Sequence, residues 1–446
     1  MVSYVSYISR RLPEKHYLFL SRLVGIMRNK YLKIAAFSLI ALAVAFPKEM
    51  NIPLVKREID RISARADFTA CSNEPEEEMT TIQMIKRWGY KAEEHFVTTE
   101  DGYILALHRI PGAKGSTPVL MHHALLESSS CWVITGKSKA LAFILADMGY
   151  DVWMANSRGN TYSRNHTTKS PSNQDFWDFS WHEMGIYDLP AEIKYISSIN
   201  DKSLLYIGHS MGTTMFYVMA SERPDEAVNV KAMFGLAPVA FTNNIRGPFY
   251  IFGNILHFLQ DNANHQGKYE FFNQNQYFKF AAKCICSRPL LRNICDIVIQ
   301  SVVGFSSKQS DAMLLPLVLT HTPAGTSMKT IMHFAQGIQS KQFRHYDHGI
   351  KINNQRYKNP IPPEYDFRKI QVPITLFWGQ NDFLAQPKDV KRLYDQLPKK
   401  VAIYKINDPE FNHLDFLWGI DAPKLVYSRL IALMDEYRYS NETTST

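Results

Sequence analysis

The 446-residue chain lacks the marks of several broad protein classes. No G-x-G-x-x-G and no phosphate-binding glycine loop follows a strand-like run, so no nucleotide cofactor is expected. Nothing in it is repetitive, collagenous or broadly disordered. A basic stripe with interleaved aromatics is also missing. Six of the eight net positive charges lie in residues 1–45, where Arg10, Arg11, Lys15, Arg22, Arg28, Lys30 and Lys33 oppose Glu14 alone. The rest of the chain is close to balanced, which excludes a nucleic-acid partner. Metal-ligand clusters are absent too. His122, His123 and Glu127 form one candidate group, and His345, Asp347 and His348 another. Neither has a second partner cluster at the usual ligand spacing, so no metal is expected.

Long apolar runs are scarce. The run "IAAFSLIALAVAF", Ile34 to Phe46, follows Lys30 and Lys33. It is too short to span a bilayer comfortably and fits the apolar part of a signal peptide. Ala43 and Ala45 supply an A-x-A cleavage pattern. The lead-in before the run is long, and Met27 opens a stretch that would serve as the basic n-region by itself. Residues 1–45 are therefore read as a signal peptide with an N-terminal extension, from an upstream start codon, or as an uncleaved signal anchor. Entry to the secretory pathway is the preferred expectation.

Cysteine is rare, with five residues: Cys71, Cys131, Cys284, Cys286 and Cys295. A secretory chain permits disulfides, and an odd count leaves at least one thiol free. The spacing in "CICSRPLLRNIC" allows a short-loop bridge from Cys284 or Cys286 to Cys295. Cys71 and Cys131 fit buried free thiols. Two N-x-[ST] triplets, at Asn165 and Asn441, are candidate glycosylation sites.

What the sequence does contain is alternation. "EEHFVTTEDGYILALHRI" reads as a hairpin about Asp101-Gly102. "PVLMHH", "YDVWMA", "SLLYIG" and "VKAMFGL" are near-continuous apolar strands, separated by helical patterns that stop at residues such as Gly149. Such strands imply a mostly parallel sheet covered on both faces. The rhythm breaks at residue 240, in a Phe-, Tyr- and Asn-rich stretch, and resumes near residue 346 with "VPITLFWGQND" and "VAIYKI". The expected organisation is a sheet domain, 46–239 and 346–438, interrupted by a helical cap or lid at 240–345. Residues 439–446 form a tail.

Within this frame "YIGHSMGTTM" places Ser210 between a strand and a helix. A G-x-S-x-G pattern arises by chance in roughly one chain in seven of this length, so the setting carries the assignment. A strand–turn–helix context is what a nucleophile elbow requires; the alternative is a helix-capping serine. A serine hydroxyl needs a base to take its proton. The order Ser, acid, His is satisfied by Asp382 after "ITLFWGQN" and by His413 in the loop after "VAIYKI". Asp389 falls in the next helix and is read as solvated or capping. An oxyanion needs two aimed N–H groups. Met211 supplies one, and the loop after "PVLMHH" the other.

These residues belong to longer motifs. "YDVWMANSRGNTYSR", "EMGIYDLPAEI", "THTPAGTS", "GQNDFLAQPKDV" and "FNHLDFLWGIDAP", with "GHSMGTT", resemble the acid lipase family of gastric and lysosomal lipases, from about residue 77 to 436. The wording is similar to an insect-type member. The resemblance implies an α/β-hydrolase core with a helical cap and lid. It implies hydrolysis of triacylglycerols or cholesteryl esters at a lipid–water interface, without cofactor or metal, in an extracellular or lysosomal setting. It places Ser210, Asp382 and His413 on the triad, Leu125 and Met211 on the oxyanion hole, and Cys286 with Cys295 in the cap disulfide. One departure stands out. The family has His-Gly-Leu-Leu before the oxyanion donor, and this chain has His123-Ala124-Leu125-Leu126. An alanine there strains the hole if the position needs a positive φ or very close backbone approach. The other readings are a non-catalytic lipid carrier, an acyltransferase or a small-ester esterase on the same scaffold. The sequence sets no oligomeric state.

Overall fold

The computed structural model describes residues 74–250, 269–272, 279, 282–287 and 289–439. The apolar run at 34–46, Cys71, Asn441 and all but the first residue of the expected tail lie outside the described residues.

Eight strands form the main sheet: β1 Glu93–Thr98, β2 Tyr103–Ile110, β3 Pro118–His122, β4 Asp151–Ala155, β5 Leu204–His209, β6 Val230–Leu236, β7 Ile374–Trp378 and β8 Lys400–Lys405. Their order is β1-β2-β4-β3-β5-β6-β7-β8. β1 and β2 are antiparallel to their neighbours, and β4, β3, β5, β6, β7 and β8 run parallel. A two-residue strand, Asn165–His166, pairs with β2. Every residue of β3, β4 and β5 is buried, whereas the edge strand β8 has no buried residue. This is why the central strands read as continuous apolar runs and the edge does not.

The expected hairpin forms at Asp101-Gly102, with Gly102 at φ +94°. Asp101 does more than turn the chain. It accepts two bonds, at 2.6 and 2.8 Å, from the buried Arg158 guanidinium, whose Nε also donates to Asp188 at 2.7 Å. The loop after β4 is thus clamped to the hairpin.

Helices cover the sheet: α1 Thr81–Arg87, α2 Leu141–Asp147, α3 Leu189–Asn200 and α4 Met211–Glu222 precede the break in rhythm. α4 follows the nucleophile candidate and is buried from Met211 to Ser221. It is apolar on all sides because other elements surround it. Between β6 and β7 the chain leaves the sheet for α5 Pro289–Val303, α6 Leu315–His321, α7 Met328–Ser340 and α8 Ile350–Tyr357. It returns with α9 Pro387–Gln396 after β7 and ends on α10 Ser428–Tyr439.

Cys286 and Cys295 form a disulfide, S–S 2.07 Å, that joins the turn before α5 to α5 itself. Cys284 is also disulfide-bonded, so it does not compete for that bridge. Cys131 is free and buried. Asp389 departs from expectation. It is buried and accepts the Asn244 backbone N–H at 2.8 Å and its amide at 2.7 Å. It therefore anchors the chain just after β6, where the stretch at 240–345 begins.

Candidate active site

Ser210 directly follows β5 at φ +52° and ψ −113°, a conformation that L residues rarely adopt. Its side chain makes no helix-capping bond, and its N–H donates to Leu236 O at 3.0 Å. Close packing explains the two flanking glycines. A Cβ on Gly208 would lie 2.8 Å from the Gly212 carbonyl carbon and the Thr213 nitrogen. One on Gly212 would lie 2.4 Å from the His122 carbonyl oxygen. Only bare backbone lets α4 start this close to β3 and β5, and so project the serine at the sheet's carboxyl edge.

Asp382 follows β7 and is fully buried. Its Oδ1 accepts the N–H groups of Leu384 and Ala385, both at 2.8 Å. Its Oδ2 accepts His413 Nδ1–H at 2.8 Å. A carboxylate can only accept here, so Nδ1 carries the proton and Nε2 is the basic nitrogen. His413 sits in the loop after β8. That loop is pinned by Asn412, whose Oδ1 accepts Leu414 N–H and Asp415 N–H and whose Nδ2 donates to Gly304 O. Ser210 and His413 line one cavity of about 350 Å³. Among the described residues no hydrogen bond yet joins them, a looseness common in substrate-free sites.

The backbone N–H groups of Leu125 and Met211 have no acceptor among the described residues, and both residues flank Ser210 in chain or in space. Ala124 does not have a positive φ; the left-handed residue of this loop is Leu126, at φ +64°. The strain that a positive φ would impose on alanine is therefore absent. The Ala124 carbonyl accepts His123 Nδ1–H at 2.7 Å and Glu127 N–H at 3.2 Å. The 124–125 peptide is trans, so its N–H points away from those two donors.

The remaining candidates have other work. His123 Nε2 accepts from Ser157 N–H at 3.1 Å and Asn160 Nδ2 at 3.2 Å, so both ring nitrogens are committed within the protein. Burial pushes His123 down to about 3 and His122 down to about 4, and both stay neutral in mild acid. His345 lies 3.5 Å from Glu222, and Asp347 accepts from Gly349 N–H and Asn353 Nδ2. Asn165 is exposed.

Two further residues are buried beside the site: Glu127, weighed in the sequence only as part of a metal group, and His209, which the sequence reading did not single out. Glu127 accepts Ala124 N–H at 3.1 Å, and His209 donates from Nε2 to the His413 carbonyl at 2.9 Å. The one signal was a lone acid inside the stretch from Pro118 to Val133.

The cavity is lined mainly by aliphatic and aromatic side chains, such as Val298, Val302, Leu319, Ile331 and Phe334. With a buried acid–base pair beside an elbow serine, it is equipped for acyl transfer from an apolar ester.

The family models that match this chain are a partial alpha/beta-hydrolase lipase region over residues 81–136 and the alpha/beta hydrolase fold over residues 117–420. The chain is 40% identical to the human gastric triacylglycerol lipase, over 81% of this chain and 92% of that one. It is 39% identical to Lipase 1 of Drosophila melanogaster, over 80% of each. To the human lysosomal acid lipase/cholesteryl ester hydrolase it is 38% identical, over 82% and 93%. The β5–serine–α4 elbow and this sheet order thus sit in a chain that belongs to the acid lipase family, carboxylic ester hydrolases on the α/β-hydrolase fold.

Proposed function

We propose that this chain hydrolyses the ester bonds of neutral lipids, triacylglycerols and cholesteryl esters, with Ser210, His413 and Asp382 as its triad. The observation that carries the reading is the Asp382–His413 hydrogen bond at 2.8 Å, on the same apolar cavity as the elbow serine. Ser210 Oγ attacks the ester carbonyl carbon while His413 Nε2 takes the hydroxyl proton. The oxyanion receives the N–H groups of Leu125 and Met211. Collapse expels the alcohol, which takes its proton from His413. Water then repeats the sequence on the acyl-enzyme and frees the fatty acid.

An apolar cavity suits acyl chains and offers little to a charged substrate. Residues 240–345 act as a cap over it and carry the route from a lipid–water interface, between core segments 46–239 and 346–438. The chain enters the secretory pathway, is released or delivered to lysosomes, and is glycosylated at Asn165. Among the described residues no helix is long and apolar enough to cross a membrane.

The test is fatty-acid release from emulsified triolein and cholesteryl oleate between pH 4 and 8, with Ser210→Ala alongside. Release by the wild type that vanishes in the folded variant supports the reading. Undiminished release by the variant, or none by folded wild type on either lipid, ends it.

A further inference from the structure

Behind the proposed triad lies a second carboxylate–histidine pair. Glu127 and His209 are 2% and 0% exposed. Glu127 belongs to the oxyanion loop, and its Oε2 accepts Ala124 N–H at 3.1 Å. His209 directly precedes Ser210 and gives its Nε2–H to the His413 carbonyl at 2.9 Å. Between them, His209 Nδ1 lies 3.6 Å from Glu127 Oε2 and has no other partner among the described residues.

The His209 ring turns one nitrogen to each loop. A carbonyl only accepts, so Nε2 carries a proton. Nδ1 is then the nitrogen turned toward Glu127, across a gap slightly longer than a direct hydrogen bond.

We infer that Glu127 and His209 are positioning residues that set the oxyanion loop and the base loop in register across the nucleophile. The chain of contacts runs from the Ala124 amide through Glu127 and His209 to the backbone of His413. Its two ends carry groups that must meet one reacting carbonyl. Ala124 is held at both sides: its N–H goes to Glu127, and its carbonyl takes His123 Nδ1–H and Glu127 N–H. That grip aims the Leu125 N–H into the cavity. Neither Glu127 nor His209 moves a proton to or from the substrate. Their effect falls on the tetrahedral state, where a donor displaced by a fraction of an ångström loses most of its worth.

The inference rests on the proposed triad, so the experiment separates the two. Glu127→Gln, His209→Gln, the double variant and Ser210→Ala are assayed on a soluble short-chain p-nitrophenyl ester. Binding of an alkyl boronic acid, which mimics the tetrahedral state, is measured alongside. Glu127→Gln keeps an oxygen for Ala124 N–H but removes the carboxylate that faces His209. His209→Gln keeps an N–H for the His413 carbonyl and has nothing at the Nδ1 position. Each single variant is expected to lower kcat by about 10- to 100-fold, the scale of a weakened oxyanion donor. KM stays within about two-fold, and the boronic acid weakens by the same factor as kcat/KM. Because both variants break one link, the double variant falls no further than the lower single.

Full activity in both single variants, with Ser210→Ala inactive, overturns the pair and leaves the triad standing. So does a fall in kcat without weaker boronic acid binding, or a double variant showing the product of the two losses. If Ser210→Ala retains activity, the triad itself fails. If Glu127→Gln does not fold, His209→Gln carries the test alone through kcat and boronic acid binding.

Discussion

Two carboxylate–histidine pairs lie on either side of Ser210, one on the base loop and one under the oxyanion loop. Asp382 and His413 touch at 2.8 Å; Glu127 and His209 stand at 3.6 Å. His413 keeps Nε2 for the cavity, whereas His209 spends Nε2 on a backbone carbonyl. The same two kinds of side chain, a carboxylate and an imidazole, are therefore placed in unlike settings. What separates them is the partner of the second ring nitrogen, a feature that composition cannot reveal.

The sharpest way to break this contrast is on the base-loop side. Asp382→Asn leaves the shape of the site but favours the wrong His413 tautomer, so kcat should drop by roughly 10⁴-fold. Steady-state hydrolysis of a soluble ester measures it, and a loss below about 10-fold would put the two pairs on one footing. The Glu127 and His209 variants come next in size. Smaller still is Ala124→Gly. With no positive φ to relieve, it should leave kcat within about two-fold and lower stability by roughly 0.5–1 kcal/mol through the freer unfolded chain. A large rise in kcat would show that the methyl group obstructs the hole. Denaturant titration gives the stability half.

The two sides also answer acid in opposite directions. Burial holds His122 and His123 at about 4 and about 3, below the ordinary 6.5. Their contribution is complete above pH 6.5 and is lost as pH falls toward those values. Burial raises Asp415, beside the base, to about 7 from 3.8. Its contribution is complete below pH 3.8 and is lost as pH rises through 7. Asp415→Asn should therefore raise Tm by about 2 °C at pH 7.5 and leave it unchanged at pH 4. Equal shifts at both pH values would show that Asp415 is ionised throughout.

Much of this was legible because the core strands are buried on both faces and so declare themselves as apolar runs. Ser210, Asp382 and His413 were singled out by their place at strand ends, and the structure brings Asp382 against His413 on the cavity of Ser210. The Cys286–Cys295 bridge came from resemblance, since spacing alone left Cys284 open. The pairing of Glu127 with His209 stayed hidden, because it depends on three loops distant in sequence meeting at one point. Asp389 misled for a related reason. A helix-start aspartate ordinarily faces water, and only the return of Asn244 against it closes that face.

Cys131 bears on how the chain reaches this state. Burial and the neighbouring Glu127 carboxylate push its thiol up, and it is 3% exposed, so in the finished protein it is chemically silent. Before the core closes it is an ordinary thiol, in a chain where Cys284, Cys286 and Cys295 are still seeking partners. In an oxidising compartment the hazard of the odd cysteine is thus confined to biosynthesis, before β3 and its loop are covered.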